Sequence, residues 1–442
     1  MYLTDRSAPA QADTEPARRR GLRPRVAPVV LVLGTVSLIT DISSEMVTAV
    51  LPLYLVTTLG FSPLGFGTLD GVYNGVSALV QLTGGHLADR IRNHKLLAGL
   101  GYGLSALCKP LLLIAGSIGT LGTVLALDRT GKGLRTAPRD AMISLSTPAE
   151  KQGRAFGVHR AMDTTGAMLG PLTAFLILRA AADGYDAVFG VSTCVAVLGV
   201  VVLVLFVPGR GQGAAQPAAD APSDGKAADA PPPGPEAADA PHGRPPVRLR
   251  EALALLRIPR LRALAGCAAL LGLTTVSDAF VYLLLQRRAG IGEEWFPLLP
   301  LGTAVVFLLL AVPVGALADR VGRRTVFLAG HAVLLVAYAL LLWAPDTPAL
   351  PPLVLALHGV FYAATDGVLP AALAGIVPEQ LRASGLAIVG TSQALARFCC
   401  SLAFGAAWTA WGDGPALAGS AVGLLCCAAV AGFVLRPAGE TR

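Results

Sequence analysis

Charge is what this sequence has little of: Asp, Glu, Lys and Arg make up 14% of its 442 residues, against 54% that are apolar. A soluble chain of this length needs far more polar side chains to cover its surface, so a soluble globular protein is excluded. The formal charge of +7 would suit a nucleic-acid partner only if it were gathered into a patch. Here the basic residues stand at the ends of apolar runs and in alternate loops, and no nucleic-acid partner is expected. Enzyme motifs are also missing, with no Ser/His/Asp arrangement, no His-Glu-x-x-His and no phosphate-cradling glycine loop. A protein that is not an enzyme and holds no cofactor is therefore expected. The cysteines (Cys108, Cys194, Cys267, Cys399, Cys400, Cys426 and Cys427) all fall inside apolar segments, without metal-site or disulfide spacing. They read as small packing residues, and no metal site is expected. The N-terminus lacks a cleavable-signal pattern, because a polar stretch ending in Arg18, Arg19, Arg20, Arg23 and Arg25 precedes the first apolar run.

What the sequence does have is apolar runs of membrane-crossing length. About 20 apolar residues span the roughly 30 Å of hydrocarbon in a bilayer. Such segments lie near 28–56, 64–88, 95–116, 118–145, 155–180 and 186–207, then near 261–285, 295–318, 325–344, 350–376, 384–409 and 415–435. The two sets flank a stretch rich in Ala, Pro, Gly and Asp that has almost no large apolar residue with which to build a core. The expected fold is an all-α integral membrane protein with twelve transmembrane helices in two six-helix, pseudo-symmetric bundles. The expected organisation is a tail over 1–27, a first bundle over 28–207, a disordered linker over 208–258, a second bundle over 259–436 and a short tail over 437–442. The end of the linker and the residues after it, VRLREALALLRIPRLRAL, could form an amphipathic surface helix.

The loops set the orientation. The tail, the linker and the loops after the second, fourth and eighth segments are basic (Arg90, Arg92, Lys95; Lys151, Arg154; Arg320, Arg323, Arg324). The loops after the first and third segments have no Lys or Arg, and Arg287 and Arg288 after the seventh are offset by Glu293 and Glu294. The positive-inside rule then puts both termini and the linker in the cytoplasm. The expected setting is a bacterial inner membrane, with the chain as a multi-pass monomer.

Two of those loops repeat. GHLADR (Gly85 to Arg90) and GALADR (Gly315 to Arg320) share a Gly-x-Leu-Ala-Asp-Arg pattern, and Asp89 and Asp319 are 230 positions apart. At nearly that offset Glu45 matches Asp278, each after a serine, and GRAFG at 153–157 matches LRASG at 381–385. A shared offset points to duplicated halves. The doubled pattern with basic residues after it resembles the loop signature of the major facilitator superfamily, over the whole chain apart from the N-terminal tail and linker. The resemblance implies a transporter whose signature loops latch the two halves and help switch between states. Gly85, Asp89, Arg90, Gly315, Asp319, Arg320 and Arg323 are the matching gating positions. The first copy departs from the pattern, having Arg92 where glycine is usual, whereas the second keeps Gly322.

Ionisable groups at membrane depth are costly and mark sites or pairing networks. In the fourth segment Asp128, Lys132, Arg135 and Arg139 are spaced four, three and four apart, which places them on one helical face as a cationic wall between the halves. Arg129 with Gly133 resembles the family's fourth-span Arg-x-x-x-Gly pattern, whose arginine is linked to proton movement. Lys132 stands where glutamine is common. In the fifth segment His159, Asp163, Gly166 and Gly170 share a face, with His159 and Asp163 a candidate titrating pair. Gly170-Pro171, with Gly166, resembles the Gly-Pro motif of the family's drug/proton antiporters, although Ala174 and Phe175 replace its trailing glycines; these small residues equally suit close helix packing. Asp41 and Glu45 lie four apart within the first segment, as two carboxylates that suit either proton carriage or pairing with the bases of the fourth and fifth segments. In the second half the candidates are Asp278, Asp366 and, as a partner for either, Arg397, while His331 and His358 read as core histidines. The first half is where the coupling chemistry is expected.

The functional expectation is a secondary active transporter moving a small molecule by alternating access. Proton-coupled efflux of a small organic molecule or drug leads. Uptake of a small anionic metabolite by proton symport is the alternative that the Lys132/Arg135 wall would favour. A receptor or scaffold that has lost transport would gain nothing from so many intramembrane charges.

Overall fold

The computed structural model describes residues 27–90, 93–148, 152–181, 184–207, 255–366, 368, 377 and 382–435. Among these the regular structure is all helix, the form in which a single segment satisfies its own backbone groups where water is absent. In chain order the helices are α1 (Pro28–Leu53, prolonged by a π turn over Tyr54–Thr58), α2 (Pro63–Arg90), α3 (His94–Leu111), α4 (Ile118–Leu145), α5 (Gln152–Ala180) and α6 (Gly184–Phe206). They are followed by α7 (Pro259–Gly272), α8 (Asp278–Ala289), α9 (Leu298–Val321), α10 (Arg323–Trp343), α11 (Leu350–Thr365), α12 (Arg382–Trp411) and α13 (Asp413–Val434).

The starts of these helices follow from local chemistry. Pro28 and Pro259 open α1 and α7, where the missing N–H is no loss. Ser117 and Thr120 form a reciprocal capping box on α4, and the Asn93 side chain accepts from the Leu96 amide at the start of α3. Between α9 and α10 the chain turns at Gly322 with φ of +98°, a conformation that a side chain would strain.

Among the described residues, six stretches are by length and composition apolar enough to cross a membrane: Pro28–Thr58, Arg154–Ala180, Gly184–Phe206, Glu293–Val321, Arg323–Trp343 and Asp413–Val434. α4 falls short of that standard because of Asp128, Arg129, Lys132, Arg135, Arg139 and Asp140. Large apolar side chains such as Leu205, Leu309, Val312 and Phe433 stand exposed on the outside, as a lipid-facing surface requires.

The seventh apolar segment is not one helix over 261–285, as its hydropathy predicts. It breaks between α7 and α8, where hydroxyl side chains compete for backbone acceptors. Thr274 and Thr275 both donate to the Leu271 carbonyl, at 3.1 and 2.9 Å. The groups freed by the break are met from elsewhere: the Val276 amide donates to the Tyr338 hydroxyl at 2.8 Å, and Cys400 donates to the Thr275 carbonyl at 3.3 Å. Of the expected surface helix, 247–254 lies outside the described residues, Leu255–Arg257 is a 3₁₀ turn, and the remainder opens α7. The tails at 1–26 and 436–442 and the linker over 208–254 also lie outside the described residues.

Packing partners fall largely within each part of the chain. α1 lies against α5 and α6, α3 against α4 and α6, and α2 against α4; later, α9 and α10 pack on α11, and α12 and α13 pack on α7. Contacts between the parts run from α2 to α12, from α5 to α9 and from α1 to α8. The α1–α5 contact depends on Gly166 and Gly170. A Cβ on Gly170 would stand 2.8 Å from the Glu45 Cβ and 2.9 Å from the Ile42 carbonyl oxygen, and one on Gly166 would overlap the Leu38 carbonyl. We expect Gly170→Leu to lower stability by about 1–3 kcal/mol through overpacking. The check is the melting temperature of the purified protein in detergent, and an unshifted melt would refute the close contact.

Candidate functional site

The charged face of α4 does not stand alone: each of its cations meets an anion. Arg135 Nη2 lies 3.3 Å from Asp41 Oδ1, and Lys132 Nζ lies 3.3 Å from Glu45 Oε1, so both α1 carboxylates are engaged from α4. Arg129 Nη2 is 2.6 Å from Asp128 Oδ2, and Lys109 Nζ from α3 is 3.1 Å from Asp128 Oδ1. Arg129 also donates to the Tyr73 hydroxyl at 2.9 Å, and the Arg135 guanidinium sits over the Tyr102 ring at 4.4 Å from its centroid. Arg139 pairs with Asp140 at 3.1 Å and with Asp163 of α5 at 3.5 Å. Burial makes such pairing obligatory, since an unpaired charge at this depth would be far more costly.

Two expectations are corrected here. Lys132 and Arg135 are not an uncompensated cationic wall, because the α1 carboxylates neutralise them. His159 and Asp163 are not joined to each other. His159 Nε2 is 3.0 Å from Ser37 Oγ, while Asp163 goes to Arg139 and, at 3.5 Å, to Arg160. Their i, i+4 spacing puts them on one face, but the guanidiniums of Arg139 and Arg160 take the carboxylate. Lys109 is a member of this network that the sequence reading passed over; its signal was a lone lysine in an apolar run just before Pro110.

A cavity of about 410 Å³ lies between the two parts of the chain. Glu45 of α1, Asp70 and Tyr73 of α2, and Pro171 of α5 line one side. The α7–α8 break, Tyr282, Pro300, Thr303, Phe307, Tyr362, Asp366 and Arg397 line the other. Glu45 and Asp278, the residues matched by the repeat offset, thus face one space. Asp278 is the first residue of α8, where the helix amides favour a carboxylate. Its Oδ1 accepts from the Tyr362 hydroxyl at 2.5 Å and lies 3.1 Å from His358 Nε2. His358 is buried, as a core histidine should be, but it serves this carboxylate, which corrects its reading as packing alone. His331 does keep to its own helix, with Nδ1 2.8 Å from the Phe327 carbonyl. Arg397 acts electrostatically on both Asp278 and Asp366.

Asp70 escaped the sequence reading altogether. Its Oδ2 accepts from Ser401 Oγ of α12 at 2.5 Å, a hydrogen bond that ties the two parts of the chain together. The signal was a single carboxylate within an apolar run, in the segment LDGVYNG.

Among the described residues, several contacts across the parts lie at the end opposite the signature loops. Tyr185 donates to Glu293 at 2.9 Å, the Leu64 amide donates to Thr409 Oγ1 at 3.0 Å, and Phe175 packs on Trp295 with centroids 5.0 Å apart. At the signature end Gly315 and Arg320 lie in the last turns of α9, and Asp319 pairs locally with Arg323 at 3.2 Å. The backbone of the first copy (Gly85, Asp89, Arg90) closes α2, and its side chains lie outside the described residues.

With that geometry in view, the comparisons with known proteins agree on a family. The family model described as Major Facilitator Superfamily matches residues 33–312 and 298–442. An uncharacterized MFS-type transporter of Methanocaldococcus jannaschii is 28% identical over 388 residues, 86% of this chain and 88% of that protein. An uncharacterized protein of Mycobacterium tuberculosis is 32% identical over 186 residues, covering 42% of this chain and 45% of its own length. Among solved structures, the nucleoside transporter NupG superposes with a TM-score of 0.73 at 12% identity, covering 92% of this chain and 99% of NupG. A bacterial homologue of the human lysosomal transporter Spinster, solved inward-facing and unoccupied, has a TM-score of 0.71 at 15% identity over 94% of this chain and 98% of its own. These two likenesses are of fold. A chain whose described residues are helical, with membrane-length apolar helices and a family-model match from residue 33 to 442, is a multi-pass membrane protein of the transporter class, and it belongs to the Major Facilitator Superfamily.

Proposed function

We propose that this protein is a proton-coupled secondary transporter that exports a small organic molecule by alternating access. The observation that carries the reading is the cavity between the two parts of the chain, with carboxylates contributed from both sides. A site between two packed units that rock about it is how this architecture exposes cargo to one side at a time. The proposal includes twelve spans in two six-helix bundles, over 28–207 and 259–436, joined by a cytoplasmic linker over 208–258. It also includes both termini in the cytoplasm, a bacterial inner membrane and a monomer as the working unit. The contacts at the end opposite the signature loops (Tyr185 to Glu293, Leu64 to Thr409) then close the outer face, and the cavity is reached from the cytoplasm.

Asp41, Glu45, Asp70, Asp278 and Asp366 are the proposed proton carriers. Lys132, Arg135 and Arg397 are proposed to hold them in place by charge, with Asp128, Arg129, His159 and Asp163 as further members of the coupling network. Gly85, Asp89, Arg90, Gly315, Asp319, Arg320 and Arg323 are the proposed gate. Uptake of an anionic metabolite by symport loses its support once Lys132 and Arg135 are paired with Glu45 and Asp41.

Proteoliposomes with an acid lumen test the reading. We expect solutes from a panel of cationic, neutral and anionic dyes to be moved in exchange for protons, with alkalinisation of the lumen when the transported dye is added. Glu45→Gln should abolish this coupled flux and spare dye-for-dye counterflow. Equal flux with the gradient collapsed would remove proton coupling from the proposal.

A further inference from the structure

Charge bookkeeping around the central cavity points to the kind of molecule it accepts. Four carboxylates line it, Glu45, Asp70, Asp278 and Asp366, against a single arginine, Arg397. Lys132 reaches Glu45 from α4, so that carboxylate is matched. Arg397 lines the same cavity and carries one charge against the three carboxylates Asp70, Asp278 and Asp366. Further partners of these three among the described residues are Tyr362, His358, Ser401 and Ser277, which supply hydrogen bonds. On α3 and α4, Lys109 and Arg129 share Asp128, and Arg135 is held by Asp41. Among these groups six carboxylates stand against five cations, and negative charge is left over at the cavity.

The walls add a second, independent feature. Tyr73, Tyr282, Phe296, Phe307 and Tyr362 bring aromatic surface from both sides of a space of about 410 Å³, large enough for a drug-sized guest. Aromatic faces attract cations through their quadrupole. Thr303, only 5% exposed, lines the cavity beside Tyr282 and adds a hydroxyl to its wall.

We propose that the cavity is a receptor for an organic cation, a positive centre carrying aromatic or aliphatic bulk, seated between Asp70, Asp278 and Asp366 with the tyrosines as walls. The inference rests on the reading of this cavity as the transport site and specifies its cargo. The cation completes the charge balance that Arg397 leaves unfinished, and its apolar bulk meets the rings. An anion of the same size would face the surplus carboxylates and is excluded.

The test uses a pair of probes alike in size and shape but opposite in charge, tetraphenylphosphonium and tetraphenylborate. Their binding to the purified full-length protein in a neutral detergent is measured by equilibrium dialysis, with protein-free micelles as the blank. We expect the cation to bind at least tenfold more tightly than the anion, and Asp70→Asn and Asp366→Asn each to weaken cation binding about tenfold. The wild-type comparison needs no variant, so a misfolded substitution does not blunt it. Equal binding of the two probes, or tighter binding of the anion, overturns the proposal, as does a folded Asp70→Asn/Asp366→Asn double variant with unchanged cation affinity. The measurement involves no gradient. Charge-selective binding without gradient-driven flux in proteoliposomes would therefore sink the transport mechanism and leave the cation site standing, and gradient-driven flux of anionic dyes alone would do the reverse.

Discussion

Asp128→Asn is expected to lower stability by about 3–5 kcal/mol, the cost of breaking a buried ion pair from one side. The reason is the company this carboxylate keeps. Lys109, Arg129 and Asp128 are 2%, 5% and 4% exposed, and the one carboxylate serves both cations, at 3.1 and 2.6 Å. The amide retains the shape and loses the charge, leaving two positive groups together in a low-dielectric interior. Thermal unfolding of the purified protein in detergent reads the effect. Adding Lys109→Met to the same chain should recover part of the loss, because one stranded cation is then gone. The Lys132–Glu45 pair is the internal control: its side chains are 37% and 25% exposed, and Lys132→Gln should cost no more than about 1 kcal/mol. If Asp128→Asn melts with the parent protein, the triad does not hold α3 to α4.

Asp278→Asn is expected to depress gradient-driven transport roughly tenfold or more, since about 1.4 kcal/mol of lost binding free energy already changes occupancy tenfold. Among the carboxylates that line the cavity, Asp278 alone combines three features. It begins α8 at the break in the seventh segment, it accepts from Tyr362 and faces His358, and it lies within the field of Arg397. Replacing it removes a charge that both a proton and a cationic cargo would use. The informative readout is the split between coupled flux and counterflow in proteoliposomes. Loss of the first with survival of the second marks a coupling residue, and loss of both with an intact melting temperature marks a cargo contact. Wild-type rates in both assays would place the function elsewhere in the cavity.

Much of the fold was legible in the sequence. The apolar segments predicted near 118–145, 325–344 and 415–435 match α4, α10 and α13 within a few residues, because hydropathy over some 20 residues is a local property that the bilayer enforces directly. The glycine stripe of α5 was legible too, since small residues four apart on one face mark a close approach. The break at 273–277 was not legible. Its stability depends on Tyr338 and Cys400, which lie more than 60 and more than 120 residues further along the chain.

The candidate site divides along the same line. Sequence alone determined that this is a membrane protein of the major facilitator type and that Asp41, Glu45, Asp128, Lys132, Arg135 and Asp278 are exceptional, because a charge in hydrocarbon is conspicuous wherever it sits. It could not say which charge answers which. A cationic stripe on α4 looks like an anion site until α1 brings Asp41 and Glu45 against it. A histidine in an apolar run looks like packing until Asp278 arrives beside His358. An aspartate such as Asp70 draws no notice until it meets Ser401 of α12. Hydropathy is summed along the chain, whereas net charge at a point in space is summed over helices far apart in sequence. Only the tertiary structure decided that the central cavity is acidic.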